Sequence, residues 1–306
     1  MNAKDSDKLL VITGPTATGK TRLAAHLANR LQGEVISADS RQVYRGMNLG
    51  TGKDLEDFII DGSRIPFHLI DIVDPGYEYN VFEFQKDFIN AYQHIISQHK
   101  RAILCGGTGL YVEAAISGYR LQQVPENMDL RQQLSTLSMA ELTDILRRMR
   151  SLHNTTDITD RQRLIRAIEI ETYQQKNREI VNDYPDFQSR VFAIYFPRKV
   201  IRERITRRLE QRLEEGMVGE VETLLTKGIK PETLTFYGLE YRYITRYIMG
   251  EIDYDSMFQQ LNTAIHQFAK RQMTWFRRME RKGTAIYWLD GQKPLEQNVQ
   301  EVMRNL

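Results

Sequence analysis

The segment from Gly14 to Thr21 restricts the fold of this chain more than any other. It reads Gly-Pro-Thr-Ala-Thr-Gly-Lys-Thr and fits the pattern G-x-x-x-x-G-K-[ST]. It lies between an apolar strand at Leu9–Thr13 and a helical stretch from Lys20 to about Leu31. Glycines let the backbone wrap around an anion, so that successive N–H groups and the helix N-terminus point at it. The pattern therefore predicts a strand, a phosphate-binding loop and a helix in succession, with a di- or triphosphate in the loop.

Each residue of this loop is a candidate ligand of the phosphates. The Lys20 ammonium adds positive charge at the terminal phosphates, and the Thr21 hydroxyl is a ligand for Mg²⁺. The predicted diphosphate-binding residues are Gly14, Pro15, Thr16, Ala17, Thr18, Gly19, Lys20 and Thr21. A second G-T-G-K run at Gly50–Lys53 is not a phosphate loop, because Gly46 lies one residue too far away and Asp54 replaces the hydroxyl residue.

The first 118 residues alternate between predicted strands and predicted helices. Further strands are expected at Glu34–Asp39, Ile65–Val73 and Arg101–Gly106, and a helix at about Val81–Gln98. Strands separated by helices imply right-handed crossovers and a parallel sheet covered on both faces. The predicted fold class is α/β, with a P-loop NTPase-like parallel sheet as its core.

Candidate strands disappear from about Tyr119 to Pro185 and return at Val191–Phe196. Helices are expected in between at Leu134–Leu137, Met139–Met149 and Arg161–Tyr173. Helical patterns then dominate up to about Lys282, and a last strand is expected at Ala285–Leu289. We therefore predict a core domain of residues 1–118 and 190–306, interrupted by an all-helical insertion domain at 119–189.

The charges are distributed unevenly along the 306 residues. The chain has 42 basic and 40 acidic side chains, a net charge of +2, yet residues 1–118 carry −2 and residues 147–212 carry +7. Arginine outnumbers lysine 29 to 13. This bias fits bidentate phosphate recognition better than a solvated helical surface, which lysine would serve equally well, although such a surface stays open as the alternative.

Several classes of protein are excluded by composition. One cysteine cannot form an internal disulfide or a cysteine-based zinc site. No stretch approaches the roughly 20 apolar residues of a membrane span. The charged N-terminus is not a signal peptide, so we expect a soluble, cytoplasmic protein.

Two segments follow predicted strands at the carboxyl edge of the sheet, where open α/β sheets bind ligands. Asp39-Ser40 ends the second strand, and its carboxylate could accept a proton from an attacking nucleophile, or could be a helix cap or loop residue. The segment Gly106–Tyr111 follows the fourth strand, where Thr108 could donate a hydrogen bond or the glycines could simply form a tight turn.

Arg204, Arg208 and Arg212 recur at i, i+4 and i+8 and share one helix face. This row could neutralise pyrophosphate or a nucleic-acid backbone, or pair with acidic neighbours on a solvated face, namely Glu210, Glu214 and Glu215. Gln162, Arg163 and Arg166 also lie near one another. The mixed segment Gln267–Arg277 suits an unstacked RNA base and its phosphates, or an amphipathic core helix.

Together, these segments resemble the tRNA dimethylallyltransferase family, also called tRNA isopentenyltransferases. The matching stretches run in order over about residues 9–290: Gly14–Thr21, Asp39-Ser40 with Tyr44, Gly46-Met47 and Gly50-Thr51, Gly106–Tyr111, Gln162–Arg166, Arg208–Arg212 and Ala269–Trp275. The resemblance implies transfer of the dimethylallyl group from dimethylallyl diphosphate to N6 of adenosine 37, next to the tRNA anticodon, with release of diphosphate.

The resemblance also implies roles for individual residues. Asp39 would be the general base, Thr21 would hold the diphosphate with Mg²⁺, and Arg212 would stabilise the leaving group. The implied tRNA-binding residues are Asp39, Ser40, Arg41, Gln42, Thr108, Arg131, Gln162, Arg163, Leu164, Ile165 and Arg166. Mg²⁺ is the implied cofactor, and the anticodon stem-loop is the implied partner of a monomeric enzyme.

The chain departs from the family pattern at two places. Gly238-Leu239-Glu240 stands where the family has Gly-Tyr and a basic residue, and Ile265-His266 stands where Thr-Arg is common. Both concern tRNA contacts more than phosphate chemistry. A P-loop small-molecule kinase, in which Asp39 activates a hydroxyl for attack on ATP, is the alternative. A nucleotide-gated RNA-binding protein is a third.

Overall fold

The computed structural model describes residues 9–118, 124–150, 160–177, 184–185 and 187–306. Its elements in chain order are β1 (Leu9–Thr13), α1 (Lys20–Leu31), β2 (Gly33–Ser37), a 3₁₀ turn (Leu55–Phe58), β3 (Ile59–Ile60), β4 (Ser63–Arg64), β5 (Phe67–His68), α2 (Val81–Ser97), β6 (Arg101–Gly106), α3 (Gly109–Ser117), α4 (Met128–Ser135), α5 (Met139–Met149), α6 (Arg161–Lys176), β7 (Ser189–Tyr195), α7 (Arg198–Glu214), α8 (Met217–Thr226), α9 (Pro231–Phe236), α10 (Leu239–Ile248), α11 (Tyr254–Arg281), β8 (Ile286–Asp290) and α12 (Leu295–Arg304).

Six of the described strands form one sheet in the order β5-β2-β6-β1-β7-β8. All five neighbouring pairs are parallel. The predicted α/β class with a parallel sheet is therefore confirmed. Because parallel strands end at the same edge, the segments that follow β1, β2 and β6 meet there. They are the loop from Gly14, the segment at Asp39 and the turn at Gly107.

The chain divides into two compact units, Met1–Tyr119 with Asp186–Leu306, and Arg120–Pro185. The first unit contains the sheet, α1–α3 and α7–α12. The second contains α4, α5 and α6, which pack around buried side chains including Leu142, Leu146 and Leu164. No helix among the described residues is long and apolar enough to cross a membrane.

The core of the sheet follows from the strand sequences. Every residue of β1 is buried, as expected for a central parallel strand with a continuous apolar sequence. Leu23 and Leu27 of α1 pack against the same core. Burying each such leucine contributes about 1.5–3 kcal/mol, so β1 and α1 hold both ends of the intervening loop firmly.

A second core joins the C-terminal helices to the loop after β2. Val43, Tyr44 and Met47 of that loop pack among buried side chains of α7, α8, α10 and α11, such as Leu209 and Tyr241. These helices therefore lie against the carboxyl edge of the sheet. The packing places the basic face of α7 near the loop after β1.

Two predicted elements differ from the structure. The strand expected within Ile65–Val73 is β5, which is only two residues long because Leu69 and Asp71 adopt left-handed backbone conformations with φ of 62° and 55°. The helix predicted at Leu134–Leu137 is instead α4, which begins after Asn127. The Asn127 side chain accepts a hydrogen bond from the Leu130 N–H and so caps the earlier start.

Candidate active site

The loop after β1 has the backbone shape of a phosphate-binding loop. Gly14 has φ of +143°, and a Cβ there would lie 2.8 Å from the carbonyl oxygen of Ile194. Gly19 is left-handed and precedes α1, whose N-terminus has no side-chain cap among the described residues. The first N–H groups of α1 are therefore available to an anion from outside the helix.

Lys20 lies beside this loop, and its Nζ donates a hydrogen bond of 3.4 Å to the carbonyl oxygen of Pro15. Burial lowers the pKa of the Lys20 ammonium, while the nearby Cys105 and Asp39 oppose that shift. A partly buried cation of this kind favours a bound anion, because the anion replaces the solvation that the ammonium has lost.

The ends of β2 and β6 are joined beside the loop. The Thr108 hydroxyl accepts a hydrogen bond of 3.1 Å from the Ser40 N–H, and the Thr108 N–H donates to the carbonyl oxygen of Ala38 at 3.3 Å. Asp39 lies within this junction, and its Oδ1 accepts a 2.9 Å hydrogen bond from the Arg41 N–H. One carboxylate oxygen of Asp39 is thus tied to its own turn, and the side chain is partly exposed.

Gln272 of α11 connects the loop to the neighbouring turn. Its Oε1 accepts a hydrogen bond of 2.9 Å from the Thr16 N–H, and its Nε2 donates one of 2.8 Å to the carbonyl oxygen of Gly107. A Cβ at Gly107 would lie 2.6 Å from that Nε2. Gln272 is buried, so this member of the mixed segment Gln267–Arg277 supports the site and is not exposed to a base.

The arginine row of α7 faces the loop. Arg208 Nη1 donates to the Thr16 hydroxyl at 3.3 Å, and Arg204 Nε donates to the carbonyl oxygen of Ala17 at 2.9 Å. Arg208 and Arg212 both pair with Asp54, Arg212 at 2.7 Å. Pairing of this row with Glu210, Glu214 and Glu215 on a solvated face is therefore wrong, since the three arginines make their contacts on the loop side of the helix.

Asp54 is the main site residue that the sequence reading missed. Burial by itself would raise the pKa of the Asp54 carboxyl, but Arg208 and Arg212 outweigh it and hold that pKa below its ordinary value. Asp54 stands in the G-T-G-K-D run that does not fit a phosphate loop, and nothing local marks it as an arginine partner. The contact spans more than 150 residues of sequence.

Lys53 has a structural role, in agreement with excluding a second phosphate loop. Its Nζ is fully buried, pairs with Asp71 and donates to the carbonyl oxygen of Tyr44. Asp71 is thereby engaged with Lys53. Glu220 of α8 also contacts the loop after β2. Its carboxylate accepts hydrogen bonds from the N–H groups of Asn48 and Leu49 at 2.8 Å and from that of Gly50 at 3.0 Å.

Sequence comparisons identify the family. A sequence profile described as IPP transferase matches residues 42–279, and one described as isopentenyl transferase matches residues 7–73. The chain is 55% identical over 298 residues to tRNA dimethylallyltransferase 2 of Phocaeicola vulgatus. The aligned residues cover 97% of each chain. The chain belongs to the IPP transferase family. The resemblance inferred from the motifs is confirmed.

Solved structures of the IPP transferase family have the same fold. The crystal structure of full-length tRNA isopentenylpyrophosphate transferase from Bacillus halodurans is 32% identical, with a TM-score of 0.71 over 98% of this chain and 95% of that one. A eukaryotic dimethylallyltransferase acting on tRNA has a TM-score of 0.76 over 98% of this chain and 77% of that one. Its identity is 24%, so the second likeness concerns the fold alone.

In this IPP transferase, the second unit contains another arginine–carboxylate cluster. Glu169, which is 2% exposed, accepts hydrogen bonds from Arg131 Nη2 at 3.0 Å and from Arg166. Its Oε1 also accepts one from the Asn127 N–H at 2.6 Å. Burial would raise the pKa of the Glu169 carboxyl, but these donors outweigh it and lower that pKa. Arg131 and Arg166, both expected at tRNA, are thus held by an internal carboxylate.

The remaining residues expected at tRNA differ in exposure. Gln162 and Arg163 lie on the exposed face of α6. Leu164 is fully buried in the core of the second unit, so any contact it makes with a ligand must involve its backbone. Phe236, which the sequence reading missed, is 57% exposed, and the Arg41 guanidinium lies over its ring at 5.4 Å.

Proposed function

We propose that this chain transfers the dimethylallyl group of dimethylallyl diphosphate to N6 of adenosine 37 in tRNA and releases diphosphate. One observation carries the proposal. The loop Gly14–Thr21 and the arginines of α7 converge on one anion site, and Asp39 lies at the end of a strand of the same sheet. An anion site beside an available base suits a reaction in which an amine attacks carbon and a diphosphate departs.

The reaction balances with the residues of this site. The N6 amine forms a bond to the allylic carbon, the bond from that carbon to the diphosphate oxygen breaks, and the N6 proton passes to the Asp39 carboxylate. The departing diphosphate takes the electron pair of the broken bond. Loop N–H groups, Lys20, Arg208 and Arg212 would stabilise its charge, because donors already fixed in place need no reorganisation during the reaction.

A divalent metal ion is general for the IPP transferase family, and we infer that here it is Mg²⁺. The described residues contain no cluster of three histidine, cysteine or acidic side chains suited to holding a metal. Mg²⁺ keeps several waters and takes few protein ligands when substrate phosphates complete its shell. The Thr21 hydroxyl, in the first turn of α1, would be a protein ligand, and the ion would neutralise diphosphate charge.

The tRNA would lie across basic surface beyond the diphosphate site. Adenosine 37 must leave its stack to reach Asp39, at a cost of roughly a few kcal/mol. We infer that Phe236 and Arg41 would offer a stacking surface to a neighbouring base, because aromatic and guanidinium planes suit unstacked bases. Exposed Gln162 and Arg163 would contact the backbone from the helical insertion, residues 119–189, while Ser40, Gln42 and Thr108 would lie near the target base.

We propose that the enzyme acts as a monomer and in the cytoplasm, where tRNA is available as substrate. The anticodon stem-loop is the proposed binding partner.

Mass analysis tests the reaction. Unmodified bulk tRNA is incubated with the protein, dimethylallyl diphosphate and Mg²⁺, and its nucleosides are then separated and weighed. We expect one adenosine to gain a single C₅H₈ group. Binding of dimethylallyl diphosphate, ATP and GTP is titrated in parallel. Much tighter binding of ATP, together with no prenylated nucleoside, would support the kinase instead.

A further inference from the structure

Asp54 satisfies two cations at the proposed diphosphate site. Its Oδ1 accepts a hydrogen bond of 2.7 Å from Arg212 Nη2, and its Oδ2 accepts one from Arg208 Nη2. A guanidinium recognises phosphate best through a fork of two parallel N–H bonds. Because Asp54 takes an Nη2 from each arginine, the arginines cannot present their full forks to a phosphate while this carboxylate stays in place.

The Asp54 carboxylate is closer to water than either arginine is. The Arg212 side chain is 11% exposed, and the Asp54 side chain is 41% exposed. Arg208 keeps a further contact to the Thr16 hydroxyl of the loop. An aspartate that leaves the arginines can be hydrated, whereas Arg212 and the partly buried Arg208, at 28% exposure, would lack an anion to replace their lost solvation.

The adjacent carboxylate, Glu240, is a weaker anion than Asp54. It lines the same small cavity as Thr16, Arg208 and Arg212, but burial raises the pKa of its carboxyl. The pKa of the Asp54 carboxyl is instead lowered, although burial opposes this, because Arg208 and Arg212 stabilise its charged form. Asp54 is therefore the anion that compensates the two arginines in the ligand-free protein.

We propose that Asp54 occupies Arg208 and Arg212 in place of the diphosphate and is displaced from them when the diphosphate binds. This inference rests on the proposed function, which puts the diphosphate at the loop. Displacement limits the affinity for the diphosphate, and the returning carboxylate helps to expel the product. Asp54 is thus a specificity residue for the charge of the ligand, because a singly charged anion gains less from displacing it than a diphosphate does.

Calorimetric titration of the full-length protein with inorganic pyrophosphate and Mg²⁺ tests this proposal. The wild type is compared with Asp54→Asn, which keeps the shape of the side chain and removes its charge. We expect the Kd for pyrophosphate to fall roughly five- to tenfold, in keeping with loss of a competing charge in a partly solvated site. Glu56→Gln is the matched control, because it removes an exposed carboxylate from the same segment, and it should leave the Kd unchanged.

A double substitution shows whether the effect passes through the arginines. Asp54→Asn should tighten pyrophosphate binding less when it is combined with Arg212→Gln, because only Arg208 then remains to be released. A full gain in that background would contradict the proposal, and so would an unchanged or raised Kd for Asp54→Asn alone, which would make Asp54 an orienting residue. If Asp54→Asn does not fold, Asp54→Ser provides a second neutral variant for the same comparison.

Failure of the proposed function gives a different result. If wild-type protein does not bind pyrophosphate, the proposal of a diphosphate site is wrong, and the proposed displacement of Asp54 is wrong as well. If wild type binds pyrophosphate and Asp54→Asn binds it with the same Kd, the diphosphate site stands and displacement alone is overturned.

Discussion

The carboxamide oxygen of Gln272 accepts a hydrogen bond of 2.9 Å from the backbone N–H of Thr16, although 256 residues separate the two in sequence. The same carboxamide donates to the carbonyl oxygen of Gly107. One buried side chain of α11 thereby fixes the spacing between the phosphate loop and the turn after β6. In the proposed function, this spacing would set the relative positions of the diphosphate and the attacking amine.

Gln272→Ala should disturb both turns at once. We expect the KM for dimethylallyl diphosphate to rise several-fold and the free energy of unfolding to fall by about 1–3 kcal/mol, because buried polar groups lose their partners. Steady-state kinetics and denaturant unfolding measure the two effects. Gln267→Ala, at an exposed position of α11, should change neither quantity. Equal effects of both variants would show that Gln272 acts only as a helix residue.

Asp39→Asn should slow prenyl transfer while substrate binding persists. Removal of a general base typically lowers turnover by roughly 10²- to 10⁴-fold. We expect the Kd values for tRNA and pyrophosphate to stay within about threefold of wild type, since the amide retains the shape of the side chain. Single-turnover transfer assays and binding titrations measure the two effects. Near-normal turnover would remove Asp39 from the role of base, and Asp61→Asn is a surface control.

Comparison of Arg163→Ala with Arg166→Ala should distinguish a residue that only binds tRNA from one that also stabilises the fold. Arg163 is exposed, so its loss should weaken tRNA binding, reduce the slope of log K against log salt by about one, and leave unfolding unchanged. Arg166 also pairs with Glu169, so its loss should in addition lower the free energy of unfolding by about 1–3 kcal/mol. An unchanged salt slope for Arg163→Ala would indicate a merely solvated side chain.

Glu169 should make stability depend on pH in the acidic range. The pKa of its carboxyl is lowered in the folded protein relative to the ordinary value of 4.5, so the folded state favours the ionised form. Its stabilisation is therefore fully present above pH 4.5 and is lost as the pH falls through the lower folded-state pKa. As the pH is lowered from neutral, the free energy of unfolding should fall less steeply for Glu169→Gln than for wild type. Parallel curves would contradict this assignment.

Glu220→Ala should loosen the loop that carries Asp54. Three backbone N–H groups and the Tyr241 hydroxyl donate to this carboxylate, and they lose their acceptor together. We expect the free energy of unfolding to fall by about 2–4 kcal/mol, because hydrogen bonds to a charged group are the stronger ones. Glu222→Ala, at an exposed position of the same helix, is the control for helix α8. Equal stability of the two variants would show that the loop does not depend on Glu220.

Local sequence was sufficient where neighbouring residues decide the structure. Helices at Lys20–Leu31 and Met139–Met149 have the predicted bounds. The second begins at a capping box, in which the side chains of Ser138 and Glu141 each accept a hydrogen bond from the other's backbone N–H. This signal is contained in four consecutive residues. The strand expected within Ile65–Val73 is shorter than the range, and here the local sequence was not sufficient. Asp71 pairs with Lys53 through tertiary structure, and that contact is absent from any local window.

The sequence by itself determined the strand, loop and helix around Gly14–Thr21, the α/β class and the family, because alternating apolar runs and several motifs in a fixed order can be read along the chain. Tertiary structure alone decided the partners of its polar side chains. Asp54 lies between Arg208 and Arg212, Gln272 bridges two turns, and Glu169 holds arginines expected at tRNA. The physical reason is that buried charges and amides must find partners in space. Packing of the C-terminal helices against the sheet edge chooses those partners.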